Sequence, residues 1–274
     1  MTKMSIITPC YNAEEYIART IESVIYQTAV ISGRVDLEYI ICDGGSTDNT
    51  INIVKNFKSN VITLISEPDN GMYDALAKGL KIISGDICAY INADDFYSNT
   101  AFDVVLDIFE NNNIKWITGL RVAYNEMGQF VGVLLPYKYR KRFFENGFYG
   151  KKLPFVQQES TFWKAELNKL VNLSTLANFK YAGDFYLWYQ FSKTEKLIII
   201  EAYLGGFRRN KGQLSENMDS YLAEMNTIVQ KPSILDYLLL YVDYLIWGFG
   251  HAAIKKFLNK KGLLRFNHDF QNWY

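Results

Sequence analysis

Apolar residues in the first hundred positions come in short continuous runs, separated by stretches where they recur every three or four residues. "MSIITPCYN" is one such run and predicts a strand ending at Pro9, while "AEEYIARTIESVIYQ" carries Ile17, Ile21, Val24 and Ile25 at helical spacing. "LEYIICDGGSTDNT" predicts a second strand ending at Asp43. Gly44 and Gly45 make its turn, and Ser46, Thr47 or Asp48 caps a helix through Phe57. "VITLISE" gives a third strand, and "NGMYDALAKGLKII" a helix with Leu76, Leu80 and Ile83 on one face. A fourth strand runs from Ile87 to Ile91 and stops at Asn92. This alternation predicts an α/β fold, a mostly parallel sheet with helices on both faces. Ligands of such sheets bind beyond the carboxyl ends of the strands. Thr8–Asn12, Asp43, Glu67–Gly71 and Asn92–Asp95 all fall on that rim.

The pattern changes after "TAFDVVLDIFENN", an expected helix. "KWITGLRVAYNEMGQFVGVLL" predicts a hairpin turning near Met127 and Gly128, which would make the sheet mixed. "STFWKAELNKL" and "AGDFYLWYQFSK" predict helices, "KLIIIEAYLGGFRR" a strand, and from Ser215 onward the chain is expected to be helical almost to its end. The expected division is a catalytic part, 1–215, and a helical extension, 216–274, with no linker between them.

Composition narrows the function. Lys plus Arg equal Asp plus Glu at 29 each, so bulk charge attracts no nucleic acid and any phosphate binding is local. Cys10, Cys42 and Cys88 lie in or just beyond apolar runs, with neither a C-x-x-C motif nor a histidine nearby. They are expected to be buried thiols in a reducing cytosol rather than zinc ligands. The start of the chain has no signal-peptide layout.

Asp94 and Asp95 are the main puzzle, because adjacent carboxylates at a strand end repel each other. Aspartate is common in turns. The apolar strand before the pair, Asp43 on the same rim, and glycines at 44, 45 and 71 favour a hard divalent cation whose shell a diphosphate completes.

At these residues the chain resembles the family 2 glycosyltransferases of GT-A fold. "SIITPCYNAEEYIARTIESV", "ICDGGSTDNT", "SEPDNGMYDALAKG", "GDICAYINADD" and "AGDFYLW" occur in that family's order over residues 3–215, most like the bacterial capsule, O-antigen and exopolysaccharide enzymes. The resemblance implies inverting transfer of a sugar from a nucleotide diphosphate donor, typically a UDP-sugar, to a hydroxyl of a glycan or polyprenyl-linked acceptor. It implies that Thr8, Pro9, Tyr11 and Glu15 hold the nucleotide and that Asp43 contacts the base. Asp94 then meets the ribose or nucleotide, Asp95 binds Mg²⁺ or Mn²⁺, and Asp184 is the general base. Asp74, in a segment recurrent in the bacterial subgroup, is expected at the donor. Arg208, with Arg209 and Lys211, lies in a segment resembling one that closes on the diphosphate. Four positions depart from the family pattern: Asn92 for aspartate, Ala77 for asparagine, Gly183 for glutamate and Asn210 for histidine. Glu159 is a candidate to replace the carboxylate missing at 183. These departures keep an inactive binding homologue as an alternative. A nucleotidyltransferase would want a basic glycine-rich loop where "TPCYNAEEY" stands. The processive Q-x-x-R-W signature is absent, so a single addition is expected.

The segment after Pro232 is unusually apolar. Asp236 and Asp243 interrupt it, where a spanning helix needs about 20 apolar residues. Leu235, Leu238, Leu239, Val242, Ile246 and Phe249 form the expected apolar face, and Lys255, Lys256, Lys260, Lys261 and Arg265 follow. A helix lying on an anionic membrane surface is expected, at the inner face of the cell membrane. A helix packed on the domain is the alternative.

Overall fold

The structure, a computed structural model, describes residues 1–274. Strand β1 (Lys3–Cys10) is buried from Met4 onward. Helix α1 (Ile17–Ile25) buries the four apolar residues whose spacing predicted it, and a short α2 (Thr28–Ile31) follows. Then come β2 (Asp36–Asp43), α3 (Thr50–Asn56), β3 (Ile62–Ser66), α4 (Met72–Ile82) and β4 (Ile87–Tyr90). β1 pairs in parallel with β2 and with β4, and β2 in parallel with β3. The register sets Cys10 beside Asp43 and Asp43 beside Ser66, so the polar strand ends line one rim.

β5 (Phe96–Tyr97) and α5 (Ala101–Asn111) precede the segment expected as one hairpin. That segment divides. β6 (Trp116–Thr118) enters the large sheet, while β7 (Arg121–Tyr124) and β8 (Phe130–Leu134) form an antiparallel hairpin in a second sheet. After α6 (Lys141–Glu145) and α7 (Phe148–Lys151), the expected helix "STFWKAELNKL" begins instead as β9 (Thr161–Lys164), antiparallel to both β4 and β6. Only residues 165–170 wind, as a 3₁₀ turn. The slot between two strands buries Phe162 and Trp163 completely, which suits β-branched and aromatic residues and overrides the helical spacing. It is β9, not the hairpin, that makes the large sheet mixed.

Next come α8 (Leu173–Ala177), α9 (Gly183–Ser192), β10 (Ile198–Ile200) and β11 (Gly205–Arg208). β10 lies in the large sheet and β11 in the small one, so the single strand expected over "KLIIIEAYLGGFRR" is two. Helices α10 (Met218–Asn226), α11 (Ile234–Phe249) and α12 (Ala252–Leu258) occupy the extension. The chain is not helical to its end. β12 (Leu263–Leu264) adds to the large sheet beside β10, and β13 (Phe266–Asn267) pairs with β14 (Asn272–Trp273). The strand orders are β12-β10-β6-β9-β4-β1-β2-β3 and β5-β11-β7-β8. Met225, Leu240, Trp247 and Leu263 belong to the same apolar cluster as Met4 and Ile7, so the extension shares the core.

The acids of α11 point inward. Asp243 is fully buried and takes a two-pronged ion pair from Arg140, Nε–Oδ2 2.6 Å and Nη2–Oδ1 2.9 Å. Asp236 caps its own helix through Ser233 and pairs with Arg142, whose guanidinium holds the carboxyl well below the usual range. Two expectations for the tail change. Leu239 and Ile246 pack partly against the core rather than on an outer face. Lys255 is buried, donating to the carbonyls of Leu135 and Trp247, and Lys256 and Arg265 pair with Glu201, so that Lys260 and Lys261 alone remain of the expected basic cluster.

Candidate active site

The rim is built from the ends of β1, β2 and β4, the N-termini of α4 and α9, and β11 with the loop after it. At the β1 and β2 ends, two loops are tied together: the Asn12 N–H donates to Ser46 Oγ (2.8 Å) and the Thr47 N–H to Asn12 Oδ1 (2.9 Å). Tyr11 projects from this bridge, 62% exposed, with Glu15 exposed nearby. Thr8 does not reach the rim with its side chain; it is buried, with Oγ1 2.9 Å from the Tyr39 hydroxyl, and Pro9 is buried too. Asp43 is also turned inward. Its carboxylate accepts from the Gly45 and Ser46 N–H groups and from Ser66 Oγ (2.8 Å), so it shapes the turn.

The carboxylate that fills this end of the cleft is Asp69. A Cβ at Gly44 would collide with it, and its Oδ1 accepts from the Gly71 N–H at 2.8 Å. Burial raises its pKa above the ordinary value. Sequence reasoning passed over Asp69; the one signal was the doubled glycine, which leaves room for a carboxylate from another loop. Asp74, in the first turn of α4, accepts from the Asn70 N–H (3.0 Å) and so fixes the entry to that helix.

The acidic pair at the end of β4 splits into two environments. Asp95 is fully buried, its Oδ1 accepting from the Arg208 N–H of β11 at 2.7 Å and its Oδ2 from Asn92 Nδ2 at 3.2 Å. Burial, then Glu159 and Asp94, raise its pKa well above the usual carboxylate range. Glu159, buried close to Asp95, is itself pushed up to about 7 by burial, with Asp94 and Asp184 adding to the rise. Asp94 is half-buried and faces the loop after β11: Gln213 Nε2 lies 2.6 Å and Asn210 Nδ2 3.1 Å from its Oδ2. Asn210 therefore meets the acidic motif at the position where the resembling family carries a histidine. The Arg208 guanidinium lies over the rings of Tyr16 (4.9 Å) and Phe96 (5.4 Å), its Nε buried without a partner. Burial, then Arg19, lowers its pKa. Arg209 and Lys211 are exposed.

The donors here suit a hard cation. Asp94 is half-exposed, and the buried Asn92 Oδ1 and Asn210 Oδ1 have no partner. No three His, Cys, Asp or Glu side chains close around a common point. An ion held by one carboxylate and amide oxygens would draw its other ligands from water and phosphate, as Mg²⁺ commonly does.

Asp184 opens α9. Its Oδ1 accepts from the Phe185 N–H (2.7 Å), the Tyr221 hydroxyl (3.0 Å) and, at the limit, the Tyr73 hydroxyl (3.4 Å). Burial nevertheless pushes the carboxyl up to about 6, in the range of a working general base. Gly183 has a local reason: any Cβ there would overlap the Tyr73 ring, so tyrosine occupies the space where the family has glutamate. Tyr221 comes from α10, whose Glu224 also accepts from the N–H groups of Lys180, Tyr181 and Ala182. The extension thus holds the loop carrying Asp184. No sequence pattern announced this, since Tyr221 lies 37 residues away.

Two sheets and a rim of this kind define an α/β fold of GT-A type. The model of the family described as "Glycosyl transferase family 2" matches residues 5–170, and the chain belongs to that family and enzyme class. The chain is 33% identical over 132 residues to the Escherichia coli UDP-Glc:alpha-D-GlcNAc-diphosphoundecaprenol beta-1,3-glucosyltransferase WfgD, covering 47% of this chain and 50% of that protein. Matched segments amount to between 11% and 50% of the length of the first curated relatives. Among solved structures, Staphylococcus aureus TarS 1–349 in complex with UDP-GlcNAc has a TM-score of 0.58 at 16% identity, covering 94% of this chain and 72% of that one. Mycobacterium tuberculosis glucosyl-3-phosphoglycerate synthase with Mn²⁺, UDP and phosphoglyceric acid has a TM-score of 0.56 at 18% identity, covering 85% and 80%. At such identities the structures speak for the fold alone. No helix is long and apolar enough to cross a membrane.

Proposed function

We propose that the protein is an inverting glycosyltransferase that moves a sugar from a UDP-sugar to a hydroxyl of a glycan or polyprenyl-linked acceptor, in surface polysaccharide synthesis at the cytoplasmic face. The observation that carries the reading is Asp184: a carboxylate with its pKa raised to about 6, held by Tyr221 and Tyr73 on the same rim as Asp94 and Arg208. It takes the acceptor hydroxyl proton as that oxygen attacks the anomeric carbon and the nucleoside diphosphate departs. Tyr11 and Asp69 line the base end, and the Arg208 guanidinium, packed on the rings of Tyr16 and Phe96, sets a positive charge behind the diphosphate. Bound Mg²⁺ or Mn²⁺ would neutralise charge growing on the leaving phosphate.

The geometry favours exchanging the two roles expected of the acidic pair. Asp94, half-exposed beside Asn210, with Asn92 Oδ1, is the better cation ligand; buried Asp95 anchors β11. WfgD, by its name, acts on a diphosphoundecaprenol-linked sugar, which supports the acceptor class. A panel of nucleotide sugars with Mn²⁺ or Mg²⁺ tests the reading through nucleoside diphosphate release. NMR of the product's anomeric configuration tests inversion. Asp94→Ala should abolish metal-dependent release without unfolding the chain. Absence of release from every donor, or full turnover in Asp94→Ala, would refute the proposal.

A further inference from the structure

Helix α11 has its polarity reversed relative to an ordinary surface helix, which keeps apolar residues inward and charges outward. Its buried face carries Asp236 and Asp243, locked to Arg142 and Arg140, together with Leu240 and Trp247. Its open face carries Leu235, Leu238, Val242, Leu245 and Phe249, from 40% to 83% exposed. Tyr237, Tyr241 and Tyr244 flank this stripe, each more than half exposed. The surface continues onto α12 through Ile254 and Phe257. So large a continuous apolar surface marks an interaction site.

The charges around it select the partner. Between Ile234 and Arg265 the only acids are the two buried in ion pairs, and Glu201, from outside the segment, is taken up by Lys256 and Arg265. Exposed Lys260 and Lys261 stand at its end. An exposed apolar helix face, tyrosines along one margin and the exposed Lys260 and Lys261 complement an anionic bilayer surface, with the rings at headgroup level. The helix has 16 residues, and none in the chain can span.

We infer that α11 and α12 lie in the plane of an anionic leaflet, apolar face down. α10, which holds Asp184 through Tyr221, precedes α11 by seven residues, 227–233, so the docked helix is joined through α10 to the loop that carries the base. The value of this to catalysis rests on the lipid-linked acceptor proposed above; the binding itself does not.

Flotation of the full chain with phosphatidylcholine vesicles, with and without phosphatidylglycerol, tests the inference at low and high salt. The wild type should float with anionic vesicles at low salt and less with zwitterionic ones. Leu238→Glu with Val242→Glu should cut partitioning at least tenfold while leaving the thermal midpoint and nucleotide-sugar hydrolysis unchanged, because both sites are exposed. Lys260→Gln and Lys261→Gln should each cost about fivefold on anionic vesicles and little on zwitterionic ones. A wild-type protein that stays soluble with anionic vesicles at low salt overturns the inference. So does a concentration-dependent dimer that the glutamate pair dissolves, which would give the face to a second copy. Vesicle binding without any sugar-nucleotide turnover would leave this inference standing and remove the catalytic one.

Discussion

Replacing Tyr221 with phenylalanine isolates what the C-terminal extension does for the base. The substitution removes one hydroxyl, 3.0 Å from Asp184 Oδ1, and keeps the ring, which stands edge-on to Phe155 at 5.0 Å between centroids. A hydrogen bond to a charged group contributes about 1.5–3 kcal/mol, and a shift of one pKa unit corresponds to about 1.4 kcal/mol. Tyr221 donates to the ionised form, so its loss favours the protonated form and moves the carboxyl upward from about 6. Taking the low end of the range, because the Phe185 N–H at 2.7 Å remains, the variant should titrate about one unit higher. The acid limb of kcat/KM, which reports groups of the free enzyme, should follow it. At pH 6 the ionised fraction falls from about a half to about a tenth, a loss of roughly fivefold. At pH 8.5 the two enzymes should be nearly equal. Profiles from pH 5 to 9, measured on nucleoside diphosphate release, decide the matter. An unmoved acid limb, or a loss equal at every pH, would refute the claim that Tyr221 acts through the charge of Asp184.

Asp184→Asn should lower kcat by about 10²–10⁴ and leave donor affinity nearly unchanged, checked by steady-state kinetics beside donor titration. Glu159, pushed up to about 7 from an ordinary 4.5, keeps a proton that the unfolded chain gives up. Its stabilisation is full below about pH 4.5 and is lost as pH rises through about 7, so the thermal midpoint should fall across that window and Glu159→Gln should flatten the fall. Arg140→Ala strands the fully buried Asp243 and should destabilise the fold by about 3–5 kcal/mol in urea titration; adding Asp243→Leu should recover most of the loss.

What sequence alone determined was whatever is written locally. The apolar runs ending at Pro9, Asp43 and Asn92 are short-range patterns, and they account for the parallel half of the sheet and for the strand ends that carry Tyr11 and Asp94. Long-range pairing decided the rest. "STFW" became β9 because a slot between β4 and β6 rewarded burial of Phe162 and Trp163. Neighbouring aspartates on one strand end look alike in sequence; one accepts the Arg208 N–H deep inside the protein and the other meets Asn210 in the half-buried loop after β11. Asp236 and Asp243 read as interruptions of an apolar helix until Arg142 and Arg140, roughly a hundred residues earlier, turned them inward. A side chain's local pattern states what it can bond to, and only the packed chain supplies the partner. Asp184 shows both halves: α9 begins where its sequence allows, yet the hydroxyl that tunes its charge arrives from α10.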